Sequence, residues 1–254
     1  MAAVFARTEI LAAVRTCKRP ANRFRICNGR SAMPTHAVSY YQLALLLNMR
    51  KNRYTLFMFT LSVCAAGCGR PAITGSTLCA IHSADSAADA QRLSDYIAQR
   101  TLIRDISAAG LHFEGVDFSR RHYDGCNFSG ATFSMCLFTS AVMRMAFFDF
   151  ATLSSCDFSN SDVQFSSMAG ATIRDCTFEG SELISVNFGG ALITDSTFNN
   201  TDLYNSRFID ANIARTDFID CNLKRTNFLK TRREEISFKY SNTAEAIFEM
   251  EGTG

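Results

Sequence analysis

Residues 131–160 have the sequence ATFSM CLFTS AVMRM AFFDF ATLSS CDFSN, written in groups of five. Every group begins with a small residue, Ala or Cys, and has a large apolar residue in its third place. An amphipathic helix would space its apolar residues by three and four, and a half-buried strand would alternate them by two. The stretch therefore predicts a backbone whose inward side chains recur every five residues.

The same spacing continues on both sides of this stretch. Every fifth residue from Phe113 to Phe228 is apolar, for 24 consecutive steps. Large residues whose numbers end in eight are Phe from Phe118 onward, except Met168, whereas those ending in three are aliphatic from Leu153 onward. This ten-residue alternation indicates that successive groups face different directions while equivalent groups stack. The chain is therefore predicted to coil.

Composition and charge agree with a repeated structural position. The 254 residues include 22 Phe and no Trp, and 47% of them are hydrophobic, which is enough to build a core. Residues 1–53 carry ten Lys or Arg and a single acid, Glu9, whereas residues 111–230 have a net charge of −5. Any interaction must therefore be considered separately for the two ends.

Several groups are similar to the A(D/N)LXX unit of the pentapeptide-repeat family. Those units begin Ala211-Asn212-Ile213, Cys221-Asn222-Leu223, Thr201-Asp202-Leu203 and Cys156-Asp157-Phe158. The resemblance implies an all-β solenoid over residues 111–230, a right-handed, four-sided β-helix with one pentapeptide per face and twenty residues per coil. In that geometry one inner column would consist of Phe118, Phe138, Phe158, Phe178, Phe198, Phe218 and Phe238.

Residues 231–254 leave two alternatives for the end of the solenoid. Arg233 breaks the apolar rule, whereas Phe238 and Phe248 return to it. The segment is therefore either a degraded seventh coil or a C-terminal cap, which solenoids need to cover their exposed core.

The segment that precedes the repeats contains a candidate metal site. Cys64, Cys68, Cys79 and His82 form a C-x3-C-x10-C-x2-H cluster, and the Pro and Gly residues between them would let the chain turn back. Three thiolates and one imidazole can complete a tetrahedral structural Zn²⁺ site. The cluster also resembles the small CCCH zinc knuckles that precede a helix in some pentapeptide-repeat proteins.

A second interpretation of residues 49–82 excludes the first. Met49 to Tyr54 is a basic stretch, residues 55–63 are apolar, and Ala65-Ala66-Gly67-Cys68 resembles a bacterial lipobox. Cys68 would then be a lipidated N-terminal residue of an exported membrane lipoprotein, with residues 49–67 removed. The apolar run is too short to span a bilayer by itself. Unpaired cysteines in the solenoid favour the cytoplasm.

Two further segments flank this cluster. Residues 1–48 are basic and without a sustained period, and the alternatives are a disordered arm, a cleaved targeting segment or an untranslated extension before a true start at Met49. Residues 83–108 are predicted to cap the first coil with a helix from Ser83 to Arg104. Ser86 would be its N-cap, and its apolar stripe would contain Ala90, Leu93, Tyr96, Ile97 and Ile103.

Catalytic candidates in the repeats have structural explanations. Cys136, Cys156 and Cys176 are spaced by twenty and are predicted to stack as small inward side chains. A set of acids directly precedes large inward residues, where short polar side chains bond turn backbone; it comprises Asp117, Asp157, Asp162, Asp202 and Asp217. Without a nucleophile elbow, a phosphate loop or an acid and base pair, the sequence does not indicate an enzyme.

The leading functional hypothesis is a scaffold that binds a protein partner through the flat outer faces of the solenoid. Met145, Phe147 and Phe150 fall at outward positions and are a candidate contact patch, unless an irregular coil tucks them in. The alternative is a DNA mimic that acts on a type II topoisomerase, as some members of the resembling family do, which would need a strongly negative face and usually a homodimer. Direct nucleic-acid binding by the solenoid is not expected.

Overall fold

The computed structural model describes residues 61–249. The hypotheses for residues 1–48, and for the basic and apolar stretch as far as Thr60, fall on residues outside this range. The described chain runs through a Cys/His segment into one helix and then into a ladder of short parallel strands. Within residues 61–249, no helix has the length and apolar character needed to cross a bilayer.

Eleven strands of three to six residues are formed in the described range. They are β1 (Leu102–Arg104), β2 (His112–Glu114), β3 (His122–Asp124), β4 (Thr132–Ser134), β5 (Val142–Arg144), β6 (Thr152–Ser154), β7 (Asp162–Gln164), β8 (Thr172–Arg174), β9 (Leu192–Thr194), β10 (Asn212–Asp217) and β11 (Arg232–Ser237). Every pairing between them is parallel and joins residues twenty apart, as in Leu102↔His122 and Asn212↔Arg232. Residues 101–240 therefore make about seven coils of a parallel β-solenoid.

Each coil has four faces, which we number along the chain. Face 1 contains β1, β3, β5 and β7 and continues through bridges from Asp162 to Asn242. Face 2 is a row of single bridges from Ser107 to Ile247, and face 4 is the row from Asp117 to Asp217. Face 3 contains the other seven strands. This architecture confirms the predicted fold.

The core is filled by the large residue at the centre of each five-residue group. Phe118 and Phe138 are fully buried, and their rings stack with centroids 4.8 Å apart and planes 7° apart. The same stacking joins Phe138, Phe158, Phe178, Phe198 and Phe218 along face 4. Small residues such as Ala131 and Cys136 are also fully buried and fill the space beside the rings. Ladder hydrogen bonds between coils satisfy the backbone.

The chain turns from one face to the next at residues whose numbers end in zero or five. These corner residues adopt left-handed backbone, with φ of 55° at Ser140 and 57° at Lys230. Residues other than glycine seldom take this conformation, which costs roughly 1–2 kcal/mol per residue. The inward packing on both sides of each corner therefore holds the turn in place.

The ends of the ladder differ from the limits that the sequence analysis drew. The first strand begins at Leu102, before Leu111, and Ile103 and Ala108 are buried at centre positions of the first coil. At the other end, β11 pairs with β10 and single bridges reach Ile247, so the segment that follows Lys230 completes the seventh coil and begins an eighth. Its core is thinner, because Phe238 and Phe248 are only partly buried against the coil before.

One helix, α1 (Ser86–Ala98), covers the first coil. It is shorter than the segment Ser83–Arg104, since the chain enters β1 directly after it. The N-cap is Asp85 and not Ser86, because the Asp85 carboxylate accepts a hydrogen bond of 2.9 Å from the Ala88 N–H. Leu93 and Ile97 of the predicted stripe are buried, whereas Tyr96 faces solvent under the Arg100 guanidinium.

Candidate functional site

The four residues of the Cys/His cluster lie together. Their ligand atoms are all within 4.8 Å of one another. Cys68 Sγ is 3.7 Å from Cys79 Sγ, and His82 Nδ1 is 3.4 Å from Cys64 Sγ and 3.5 Å from Cys79 Sγ. A tetrahedron with Zn–S of about 2.3 Å and Zn–N of about 2.0 Å has edges of about 3.8 Å between sulfurs and about 3.5 Å between sulfur and nitrogen. The cluster thus has the dimensions of a site that could hold a metal.

Two tight turns bring these side chains together. The Cys64 N–H donates to the Arg70 carbonyl at 2.9 Å, which closes the first turn, and the Ile73 N–H donates to the Leu78 carbonyl at 2.9 Å, which closes the second. Gly67 lies inside the first turn with φ of 75°, a conformation that glycine adopts without steric cost. The local hydrogen bonds therefore place Cys64 and Cys68 opposite Cys79.

Hydrogen bonds favour the thiolate form that metals require at two of the three cysteines, whereas burial raises the pKa of Cys79. Burial acts to raise the pKa of Cys64, but hydrogen bonds from the backbone N–H groups of Cys79 and Ala66, together with His82, outweigh it and lower this pKa to about 6. The backbone N–H of Arg70 is the main reason for a lowered pKa at Cys68. The two thiols on the first turn are therefore poised to give up their protons.

The cluster is fastened to the solenoid through its second turn. The Thr74 N–H donates to the Ser107 carbonyl at 2.9 Å, and the Ser107 N–H donates to Thr74 Oγ1 at 2.7 Å. Ile73 is buried in the same core cluster as the phenylalanine columns. Arg92 of α1 donates to the Thr74 carbonyl at 2.9 Å. The Cys/His segment, α1 and the first coil thus form one N-terminal cap.

The solenoid carries an exposed apolar patch on the side of face 2. Met145 and Phe165 occupy equivalent corners of adjacent coils, Phe147 lies on face 2, and Phe150 occupies the next corner. Phe150 is 72% exposed and Phe165 is 45% exposed, whereas Met145 and Phe147 are half-buried. We call these four residues the aromatic patch.

Gly170 leaves room for one ring of the aromatic patch. A Cβ atom on Gly170 would lie 2.6 Å from the Phe150 ring, which rests over this corner of the next coil. Sequence reasoning named Met145, Phe147 and Phe150 but missed Phe165. The twenty-residue spacing between Met145 and Phe165 is the signal that could have found it.

The cysteines and acids of the repeats make ordinary structural contacts. Burial raises the pKa of the Cys126 thiol to about 12, and the Cys136 thiol donates to the Phe113 carbonyl. A buried thiol that stays protonated, as at Cys126, is unreactive. Asp117, Asp157 and Asp202 each accept a hydrogen bond from a backbone N–H two residues on. Asp162 instead pairs with Arg144, on the neighbouring coil.

Comparison with protein families matches two parts of the chain. Residues 171–248 match the family described as a pentapeptide repeat region, and residues 124–160 match the family described as pentapeptide repeats in eight copies. Comparison with curated protein sequences finds no match.

Comparison with solved structures finds similar chains of low sequence identity. HetL, a pentapeptide repeat protein involved in heterocyst differentiation regulation from Nostoc sp. strain PCC 7120, is 13% identical, with 62% of this chain and 91% of HetL covered and a TM-score of 0.37. QnrB1, a plasmid-mediated fluoroquinolone resistance protein, is 19% identical, with 59% and 83% covered and a TM-score of 0.26. A pentapeptide repeat protein of the Arabidopsis thaliana thylakoid lumen is 21% identical, with 52% and 73% covered and a TM-score of 0.28.

Proposed function

We propose that this chain, which belongs to the pentapeptide-repeat family through residues 124–160 and 171–248, is a non-catalytic scaffold that binds a protein partner. The observation that carries the proposal is the aromatic patch on a rigid coil. Large aromatic side chains supply 150–250 Å² of apolar surface each and dominate the energetics of protein interfaces. An exposed group of them beside a flat face fits a binding surface better than a catalytic cleft.

Photo-crosslinking tests this proposal at a single residue. A benzophenone amino acid placed at Phe150 is expected to capture one protein of defined mass from cell extract, whereas the same probe at Tyr240, exposed on the seventh coil, captures none of it. Phe165→Ser should abolish the product at position 150 without changing the melting temperature, because Phe165 is a surface corner. Equal capture at both positions, or capture unaffected by Phe165→Ser, would refute binding through the aromatic patch.

We further propose that Cys64, Cys68, Cys79 and His82 hold one structural Zn²⁺. The interatomic distances support this metal, and a site with four protein ligands stabilises a fold and leaves no open position for substrate. The ion would tie the two turns of the Cys/His segment together and so secure the N-terminal cap. A zinc thiolate site and free core thiols both suit a reducing cytoplasm, which is the location that we propose.

Native mass spectrometry tests the zinc proposal and its rival together. Bound zinc on a chain that retains Cys64 would support the metal site, and Cys79→Ser should lose the metal and lower the melting temperature, with Cys126→Ser as a control. A diacylated N-terminus at Cys68 would instead establish the lipoprotein alternative and remove Cys64 from the mature chain.

The DNA-mimic hypothesis finds one supporting feature on face 1. Asp162, Glu182 and Asp202 lie in register on three successive coils and place three carboxylates in a row. Arg144 and Asn222 contact the first and the last of them, which weakens the negative field. A gyrase supercoiling assay decides: unchanged activity and unchanged quinolone inhibition at micromolar protein would exclude this function.

A further inference from the structure

A concave site lies where α1 meets the first two coils, on face 4 and thus on the opposite side from the aromatic patch. The cavity has a volume of about 490 Å³ and is open to solvent. Its walls come from the chain after α1, from the corner at Arg120 and from face 4 near Leu137. This volume lies within the 300–1,000 Å³ that is usual for sites of small ligands.

The charged groups that line the cavity are mostly positive. They are Arg100, Arg120 and Arg121, opposed by Asp117 alone. Arg100 directly follows α1 and precedes the first coil, whereas Arg120 is the corner residue at the end of that coil. Both border the cavity, whose excess positive charge would attract an anion.

The three guanidinium groups are not equally engaged. Arg121 is fully used, since its nitrogens donate to the carbonyls of Ile97, Asp117 and Ser119. Arg100 stacks on the Tyr96 ring at 3.7 Å and donates through one nitrogen to the Tyr96 carbonyl. Among residues 61–249, the Arg120 side chain has no hydrogen bond or salt bridge in the structure. Arg120 is therefore the group most available to a ligand.

Neutral groups complete the lining. Ser119 Oγ and Thr139 Oγ1 lie 2.8 Å apart on adjacent coils, and each hydroxyl has further hydrogen-bonding capacity. Asp117 would oppose an anion, but its Oδ1 accepts the Ser119 N–H at 2.8 Å, which fixes its position. The exposed Leu137 side chain provides an apolar wall. The cavity thus offers positive charge, hydroxyls and one apolar surface.

We propose that this cavity binds the phosphate group of a small organic phosphate, with Arg120 as the principal contact and Arg100 as the second. A phosphate monoester carries about −1.5 to −2 charges at pH 7 and accepts hydrogen bonds from planar guanidinium groups in paired geometry. The cavity is larger than a phosphate ion, and Leu137 can contact the organic part. This site is independent of the protein-binding function proposed above.

The proposal is tested by isothermal titration calorimetry of the full chain. The ligands are AMP, inorganic phosphate and adenosine, at constant ionic strength in chloride. Saturable binding of AMP is expected, and Arg120→Asn should weaken it about tenfold or more, the effect of losing one charge-assisted hydrogen bond. Asparagine suits the left-handed backbone at this corner, which has φ of 56°. Lys230→Asn is the matched control, because Lys230 is an exposed corner residue with φ of 57°.

A variant with the opposite expected sign guards against effects of misfolding. Asp117→Asn keeps an oxygen for the Ser119 N–H and removes the opposing charge, so it should tighten AMP binding. Binding of both AMP and inorganic phosphate would identify the phosphate group itself as sufficient, and binding of AMP alone would require the organic part as well. Adenosine binding as tight as AMP binding, no binding of AMP, or equal affinities in Arg120→Asn and Lys230→Asn would overturn the proposal.

Discussion

The Phe178 ring lies between those of Phe158 and Phe198, with centroid distances of 4.8 and 4.6 Å and nearly parallel planes. It is fully buried, so its removal would leave a cavity that rigid neighbouring coils cannot fill. We expect Phe178→Ala to lower the free energy of unfolding by about 3–5 kcal/mol, measured by urea denaturation. Thr172→Ala, an outward substitution on β8, should change it by less than about 0.5 kcal/mol. Equal effects of the two would contradict the inward position of Phe178.

The stability of the fold is expected to depend on pH through Asp149, which lies on face 2. Its Oδ1 accepts hydrogen bonds from the Ser167 hydroxyl and the Ala169 N–H, and burial raises the pKa of this carboxyl above its ordinary value of 3.8. A carboxyl whose pKa is higher in the folded than in the unfolded state costs stability when ionised. Asp149→Asn keeps an acceptor oxygen without charge, so it should stabilise the fold at pH 7. The gain should shrink as the pH falls through the raised pKa.

Substitution of Asp117 is expected to change stability in the opposite direction from substitution of Asp149. Burial acts to raise its pKa, but the hydrogen bonds from Ser119 and the charges of Arg121 and Arg120 outweigh it and lower this pKa below 3.8. Asp117→Asn should therefore destabilise the fold at pH 7, and the loss should shrink as the pH falls below 3.8 toward the lowered pKa of the folded state. Urea denaturation between pH 7 and 3 measures both variants. If both variants changed the free energy of unfolding in the same direction at pH 7, the pKa directions given for Asp149 and Asp117 would be wrong.

At the scale of single elements, α1 depends on one side chain from the solenoid. The Arg121 guanidinium donates to the Ile97 carbonyl at 3.1 Å and to the Ser119 carbonyl at 2.8 Å. The Ile97 carbonyl also accepts the Arg100 backbone N–H at 3.0 Å, so the Arg121 guanidinium is a second donor to it and fixes the end of α1 to the first coil. Hydrogen bonds from charged groups are worth about 1.5–3 kcal/mol.

Arg121→Ala should therefore raise amide hydrogen exchange in residues 86–98 by a factor of about ten to one hundred. Arg104→Ala is the matched control, because Arg104 forms only an exposed salt bridge with Asp124 on face 1. Unchanged exchange in α1 of the Arg121 variant would show that apolar packing alone holds the helix.

The sequence predicts the strands well because side-chain direction repeats locally, and a five-residue period needs no knowledge of distant neighbours. The sequence places the start of the first coil too late, because Ala108 occupies a centre where later coils have Phe. It does not decide whether the solenoid continues past Lys230, because Arg233 stands where an apolar residue is expected. The aromatic patch and the distances within the Cys/His cluster depend on contacts between residues far apart in the chain. They appear only once the coils are stacked, as Phe165 beside Met145 illustrates.

At the scale of the whole molecule, the two ends of the ladder are covered differently. Leu93 and Ile97 of α1 bury the first coil, whereas most of β11 is exposed and Phe238 is only partly buried. Stability in stacked repeats is the sum of contributions from neighbours, so an end coil opens more readily than an inner one.

Amide exchange should follow this gradient. We expect the slowest exchange in residues 131–220 and faster exchange in residues 231–249, at free energies below that of global unfolding. Mass spectrometry of peptides from the folded protein provides the measurement. Uniform protection through the seventh coil would indicate that another surface, such as that of a second copy, covers this end.

The left-handed corners, repeated at every fifth residue, also constrain how such a chain can change in length. Insertion of one amino acid into a coil would move each later phenylalanine off the axis and place outward residues at the turns. An insertion of five would preserve inward and outward positions but rotate every later coil by a quarter turn, and so put aromatic columns under aliphatic ones. A duplication or loss of ten residues returns aromatic centres to aromatic columns and aliphatic centres to aliphatic ones, and one of twenty also restores each face, so natural variation in length should occur in steps of half a coil or one whole coil.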